Sequence, residues 1–214
     1  MESSLDSKLV LGSDGSYSLY NDEYKQSYHA KSLGAFTETM SKHVLPALEF
    51  VKNEGLKEVK ILDICFGLGF NAFLSMMYFQ KVLIYSPEKS SLKDIYNFPY
   101  PKDLDSLKPN IALKKLSLES TFRYKDNVLH FYEGDAINYI QSFEDGFFDI
   151  IYQDAFSKEH NAELWSKEYF SLLFAKTKPR CLVTTYAKAR EVIQNVESAG
   201  FKAKKYELGS LFYK

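Results

Sequence analysis

The chain has 214 residues, 45% hydrophobic and 16% aromatic, with 27 basic and 28 acidic side chains and a formal net charge of −1. This excludes a disordered chain and leaves enough apolar surface for one α/β core, while the near-neutral balance excludes a polycation that would bind nucleic acid on bulk charge alone. The two cysteines, Cys65 and Cys181, sit in apolar strand-like runs and read as reduced core thiols of a cytoplasmic protein, not as a disulfide framework.

In chain order, the polar and acidic start Met1–Asp6 gives no sign of a signal peptide. A hairpin is predicted over 8–20, around the Gly12-Ser13-Asp14-Gly15 turn. Ala35, Phe36, Met40, Val44, Leu45, Leu48 and Val51 set a helical period over 32–52, with Pro46 as a break or kink. Between them, Tyr24 to Ala30 reads equally as a lid or as ordinary packing. Residues 1–55 are thus expected to form an N-terminal hairpin and helix, followed by a core over 56–214 in the same single domain.

The core opens with a buried strand, Val59 to Ile64, which turns on Gly67 and Gly69 into an apolar helix. Asp63, Gly67, Gly69 and Asn71 interrupt this apolar run, so it is read as strand, turn and helix and not as a membrane span. A second strand, 81–86, ends at Pro87-Glu88, and an insert at about 90–120 carries helices at 91–96 and 109–118, expected over the open end of the sheet. A strand at 128–132 leads through Gly134-Asp135-Ala136 into a helix at 137–143. A strand at 147–152 ends at Gln153-Asp154-Ala155-Phe156 and precedes a helix at 163–174 that contains the only tryptophan, Trp165. Strand 180–186, a helix at 189–199 closed by Gly200, and a hairpin around Gly209 complete the chain. From Lys176 onward nine basic residues stand against three acids. Alternating strands and helices imply a mostly parallel sheet covered on both faces, with a C-terminal antiparallel hairpin. Asp63, Glu88, Asp135 and Asp154 would then gather at the carboxyl edge, where open α/β sheets bind ligands.

Two ligands fit the glycine turn. Gly67-Leu68-Gly69-Phe70-Asn71-Ala72 satisfies the dinucleotide pattern, with Glu88, 19 residues past Gly69, as its ribose acid. The competing pattern, acid-x-G-x-G-x-G, binds S-adenosylmethionine and here reads Asp63-Ile64-Cys65-Phe66-Gly67-Leu68-Gly69, with cysteine at the first glycine. Asp63, Asp135 and Asp154 favour the second, because a sulfonium and an amino group suit an acid-lined pocket that would repel a pyrophosphate.

Phe66-Gly67-Leu68-Gly69-Phe70-Asn71, Glu88-Lys89, Gly134-Asp135-Ala136, and Asp154-Ala155-Phe156 with Asn161, Glu163, Leu164 and Trp165 together resemble the MnmC-like family, the methyltransferase half of the tRNA 5-methylaminomethyl-2-thiouridine biosynthesis enzyme. Asp14-Gly15-Ser16, Tyr28-His29, Gly34-Ala35, Glu38, Thr185-Tyr186 and Ala199-Gly200-Phe201 extend the likeness over nearly the whole chain. The resemblance implies a Rossmann-like class I methyltransferase that moves a methyl group from S-adenosylmethionine to the aminomethyl nitrogen of a modified wobble uridine. No flavin-dependent oxidase half is expected to follow in this chain, which implies a stand-alone form. Cys65 departs from the family glycine, Lys158 and Ala162 stand in places of proline, and Arg180-Cys181 replaces a Gly-Gly turn.

The residues implied for the cofactor are Asp63, Phe66, Gly67, Gly69, Asn71, Glu88, Asp135, Ala136 and Tyr28; Phe156, Trp165 and Tyr186 are expected at the substrate. Asp154 is the expected catalytic residue, holding the amine and accepting its proton. Lys176, Lys178, Arg180, Lys188, Arg190, Lys202, Lys204 and Lys205 are candidates for the anticodon-stem backbone. No metal is expected from the scattered histidines, nor a membrane partner, and the protein is expected to be a monomer. Three readings stand: a tRNA methyltransferase, a methyltransferase of the same fold acting on a small-molecule or protein amine, and a non-catalytic binding module.

Overall fold

The computed structural model describes residues 8–214; Met1–Asp6, read above for a signal peptide, lies outside them. Leu9–Leu11 (β1), Tyr17–Asn21 (β2) and Gln26–Ser27 (β3) form a small antiparallel sheet. Asp14 in its first turn accepts from Ser16 N and Ser16 Oγ with one oxygen and from Thr37 N with the other. The bond from Thr37 caps the helix that follows, so Asp14-Gly15-Ser16 fastens the sheet to a helix start.

The helix is one rod in three pieces: Ala35–Thr39 (α1), a π-helical turn at Met40–Val44, and Leu45–Glu54 (α2). Pro46 therefore does not break it. It has no N–H to return to the preceding turn, and the Lys42 carbonyl four residues earlier accepts instead from Tyr206 Oη at 3.2 Å.

An eight-stranded sheet carries the rest: Val59–Ile64 (β4), Val82–Glu88 (β5), Thr121–Tyr124 (β6), Asn127–Glu133 (β7), Phe148–Gln153 (β8), Thr177–Thr185 (β9), Lys202–Tyr206 (β10) and Gly209–Tyr213 (β11). Their order is β10-β11-β9-β8-β4-β5-β7-β6. The five strands from β9 to β7 are parallel, and β6, β11 and β10 are added through antiparallel pairs. The expected class is thus observed, with β6 as an additional edge strand.

Phe70–Tyr78 (α3), Pro109–Glu119 (α4), Ala136–Gln141 (α5), Lys167–Lys176 (α6) and Arg190–Ser198 (α7) complete the fold. Alternation along β4 divides the core: Val59 and Ile61 join the cluster under α2, α3 and α4, while Leu62 and Ile64 join the cluster under α5, α6 and α7. The expected helix at 163–174 is two pieces, because Ser166 stops a 3₁₀ turn at Ala162–Trp165 and its side chain accepts from Tyr169 N to cap α6. Arg180-Cys181 lies inside β9, where the register with β8 slips between Phe148↔Thr177 and Ile150↔Leu182. The insert does not cover the open edge as expected. Phe98, Leu104, Leu113 and Leu116 pack in the cluster behind α3, and Tyr100 Oη donates to Leu68 O, bracing the glycine turn from outside.

Candidate functional site

At the carboxyl ends of β4, β5, β7, β8 and β9 lies a cavity of about 420 Å³. Of the residues singled out from the sequence, it is lined by Tyr28, Phe66, Gly67, Asn71, Glu88, Asp135, Ala136, Asp154, Phe156 and Tyr186. Asp63, Gly69 and Trp165 are not in its walls.

The glycine turn explains part of this division. Gly67 has φ +54°, and a Cβ there would stand 3.1 Å from the Tyr28 ring, which comes down onto the turn. Gly69 has φ +77° and caps α3; a Cβ there would lie 2.5 Å from the Phe66 ring and 2.8 Å from Phe73. Gly69 is thus required by packing within the chain and not by ligand approach. Cys65 has φ +65°, the left-handed conformation that favours glycine. Burial pushes its thiol pKa well up, so it is an inert neutral side chain in the cavity wall.

Glu88 is fixed by the backbone. Its Oε2 accepts from Gly67 N at 2.8 Å and its Oε1 from Ser90 N at 2.9 Å. Asp135 caps α5 through Asn138 N and pairs with Lys89 Nζ at 3.1 Å. Both acids hold a fixed place on the cavity rim with lone pairs to spare for ribose hydroxyls or an adenine amine.

Two further acids meet through one amide. Asn71 Nδ2 donates to Asp63 Oδ1 at 3.2 Å and to Asp154 Oδ2 at 3.0 Å, spending both hydrogens on carboxyl oxygens. Their environments separate their charge states. Asp63 is fully buried, and burial pushes its pKa up to about 8. Ser86 Oγ lies 2.9 Å from Asp63 O and 3.0 Å from Asp63 Oδ2. One hydroxyl hydrogen cannot serve both, and a protonated Asp63 resolves the conflict by donating to Ser86 Oγ. Asp63, expected with the other acids at the carboxyl edge, lies behind the turn and outside the cavity wall, and burial favours its protonated form at neutral pH. Asp154 goes the other way. Burial pushes its carboxyl up, but His43, His29 and Asn71 outweigh burial and hold it below the usual carboxylate range. One neutral and one ionised acid on one amide is the pattern of a site with divided roles.

The aromatic walls come from two distant segments. Tyr24 and Tyr28 reach across from the small sheet to Phe156, with ring centroids 4.6 and 5.0 Å away. The segment 24–30 is therefore a cover over the cavity, one of the two readings left open by its sequence. Tyr186 Oη donates to Ala155 O, Trp165 Nε1 to Phe156 O at 2.7 Å, and Gln153 Nε2 to Leu164 O. Trp165, expected at the substrate, is instead a buried pin that fixes the loop bearing Asp154 and Phe156.

Sequence reasoning missed His29, Thr39 and His43, which also line the cavity. His29 follows Tyr28 in the cavity cover and its Nδ1 lies 3.2 Å from Ser18 Oγ. Thr39 and His43 lie four residues apart on the first helix, and nothing in sequence ties them to residues beyond position 150. Among the described residues no group of three or more His, Cys, Asp or Glu is arranged to hold a metal, and no helix is long and apolar enough to cross a membrane.

Comparison with known proteins agrees with this geometry. The profile of a family described as S-adenosyl-L-methionine-dependent methyltransferase matches residues 105–209. The solved structure of MnmC2 from Aquifex aeolicus superposes with a TM-score of 0.82 at 27% identity, covering 96% of this chain and 69% of that one. An uncharacterized protein of Methanocaldococcus jannaschii, MJ0670, is 26% identical over 200 residues, or 90% of this chain. The chain spans about half the length of that curated relative, 54%. A spermidine synthase in complex with the transition-state analogue AdoDATO shares the fold, with a TM-score of 0.55 at 11% identity and coverage of 92% and 68%.

Proposed function

We propose that this S-adenosylmethionine-dependent methyltransferase of the MnmC-like family methylates the 5-aminomethyl nitrogen of a wobble uridine in tRNA, giving 5-methylaminomethyluridine. The cavity fits the cofactor by its donor set: acids on the rim, an ionised carboxylate on the floor, and aromatic walls suit a cationic nucleoside and not a pyrophosphate. Gly67, Glu88, Asp135 and Ala136 would hold its nucleoside part. The cofactor supplies an electrophilic methyl group, so the protein's work is alignment and proton removal.

The observation that carries the reading is Asp154. It is an ionised side chain tied by Asn71 at the floor of a cavity walled by Tyr28, Phe156 and Tyr186. A carboxylate there draws in a protonated amine, orients its nitrogen and accepts the proton that must leave before the lone pair can attack. Phe156 and Tyr28 offer faces on which a uracil ring stacks.

The basic candidates divide by position. Lys176 ends α6, and Lys178 and Arg180 start β9, all at the far end of the strands and paired with Asp145, Asp149 and Glu54. Lys188 and Arg190 follow β9, and Lys205 lies level with Thr185 through Ser210, so these three flank the cavity edge and are the better candidates for RNA phosphates. The test is mass spectrometry of wobble nucleosides from a strain lacking this chain. 5-Aminomethyluridine is expected to accumulate in its thiolated or unthiolated form; an unchanged nucleoside profile contradicts the assignment.

A further inference from the structure

His43 is 1% exposed and lies in the π-helical turn between α1 and α2. π-Turns recur where a helix must present a side chain to a site. Its Nδ1 is 2.6 Å from Thr184 Oγ1 on β9, its ring packs on Tyr152 on β8, and its Nε2 faces Asp154 Oδ1 at 3.4 Å. Nε2 is otherwise without a hydrogen-bond partner among the described residues. Thr39 Oγ1 and Asn71 Oδ1, on two other cavity-lining residues, are also buried without a partner. Buried polar atoms left open are costly in a packed core, and two of these belong to His43 and Asn71, the side chains that reach Asp154.

Resting on the reading of the site as an amine methyltransferase, we propose that His43, anchored by Thr184, is a positioning residue whose Nε2–H donates to the Asp154 carboxylate and aims it at the acceptor nitrogen. An amine that arrives protonated first gives one proton to Asp154, which releases it to solvent. The neutral nitrogen then bonds to the methyl carbon as the carbon–sulfur bond breaks, the electron pair of that bond staying on sulfur. One N–H proton of the resulting ammonium passes to Asp154 and from there to solvent, leaving a neutral secondary amine and a neutral thioether. The positive charge lost from sulfur leaves as that proton, and Asp154 is again a carboxylate held by His43.

The ionisable neighbours of His43 are few. β8 supplies the Tyr152 ring, the following loop Asp154, β9 the uncharged Thr184, α3 the uncharged Asn71, and the segment after β3 supplies His29. Its own helix adds Glu38 and Lys42, which pair with each other. Among the described residues, Asp154 is therefore the one acid paired with Nε2.

The test titrates the Asp154 carboxyl carbon by ¹³C NMR in the wild type and in His43→Gln, without substrate. It then measures single-turnover methyl transfer against pH for both proteins. His43→Gln is expected to bind S-adenosylmethionine within about twofold of wild type. Its Asp154 is expected to protonate about one pH unit higher, with the acid limb of the rate profile moving up equally and the rate near pH 7 falling about tenfold. Thr184→Val repeats the measurement if His43→Gln does not fold, with a smaller shift in the same direction. An Asp154 titration and a rate profile that both keep their wild-type midpoints overturn the proposal, even if the rate drops. A wild type that fails to methylate aminomethylated tRNA while the carboxyl titration still shifts overturns the substrate assignment and leaves the His43–Asp154 link standing.

Discussion

Cys65 occupies a left-handed position, φ +65°, in the turn on which the site depends. An L-residue there is strained by about 1–2 kcal/mol, part of which glycine would return as unfolded-chain entropy. Cys65→Gly is expected to stabilise the fold by ~1 kcal/mol, and the β-branched Cys65→Val to destabilise it by ~2 kcal/mol, both read from urea unfolding. Asp63 gives a second prediction. Its folded pKa of about 8 lies above its ordinary 3.8, so the native state holds the extra proton between those values. Its contribution to stability is full below about pH 4 and is lost as pH rises to about 8. Asp154, held low, has the opposite sign and loses its contribution as pH falls through the acid range. Asp63→Asn keeps the shape and cannot ionise, so the fall in stability between about pH 4 and 8 is expected to flatten in that variant; an unaltered slope contradicts a neutral Asp63.

At the scale of elements, the first helix and the last hairpin hold each other. Pro46 cannot donate to the turn before it, and Tyr206 on β10 supplies the bond to Lys42 O. Tyr206→Phe leaves that carbonyl without this partner and is expected to lower stability by ~1 kcal/mol while loosening the π-turn that bears His43. Proteolysis or amide exchange at 40–46 would register the loosening; protection equal to wild type contradicts it. The sequence pattern reached most of these elements because period-2 and period-3.6 runs report burial directly. Pro46 was misleading because a proline marks a missing hydrogen bond, and only the fold reveals that a tyrosine from residue 206 replaces it. Trp165 was misleading for a related reason. Its place in a motif beside Asp154 is genuine, but an indole N–H that pins a backbone carbonyl looks in sequence like one that meets a ligand.

Across the whole molecule, the site joins segments from both ends of the chain. The carboxyl edge of the parallel sheet supplies acids and glycines, which strand-end positions announce. The cover of Tyr24 and Tyr28 and the helix bearing His43 come from residues before the first core strand, and their approach to Phe156 and Asp154 is set by tertiary packing alone. That is why the sequence placed Gly67, Glu88, Asp135 and Ala136 in the cavity wall, with Asp63 and Gly69 falling outside it, while the opposite wall was legible only at Tyr28, Asp154, Phe156 and Tyr186. The surface charge follows the same division, with basic side chains beside the cavity edge and paired ones at the far end of the sheet.

The central claim is that Asp154 serves methyl transfer to an aminomethyl nitrogen on tRNA. The most direct measurement incubates the purified chain with S-adenosylmethionine and tRNA bearing 5-aminomethyluridine, then weighs the wobble nucleoside. One added methyl group is predicted with the wild type, and a rate at least about 100-fold lower with Asp154→Asn at undiminished cofactor affinity. A nucleoside of unchanged mass with a cofactor-loaded wild type, or an Asp154→Asn variant as fast as wild type, would contradict it.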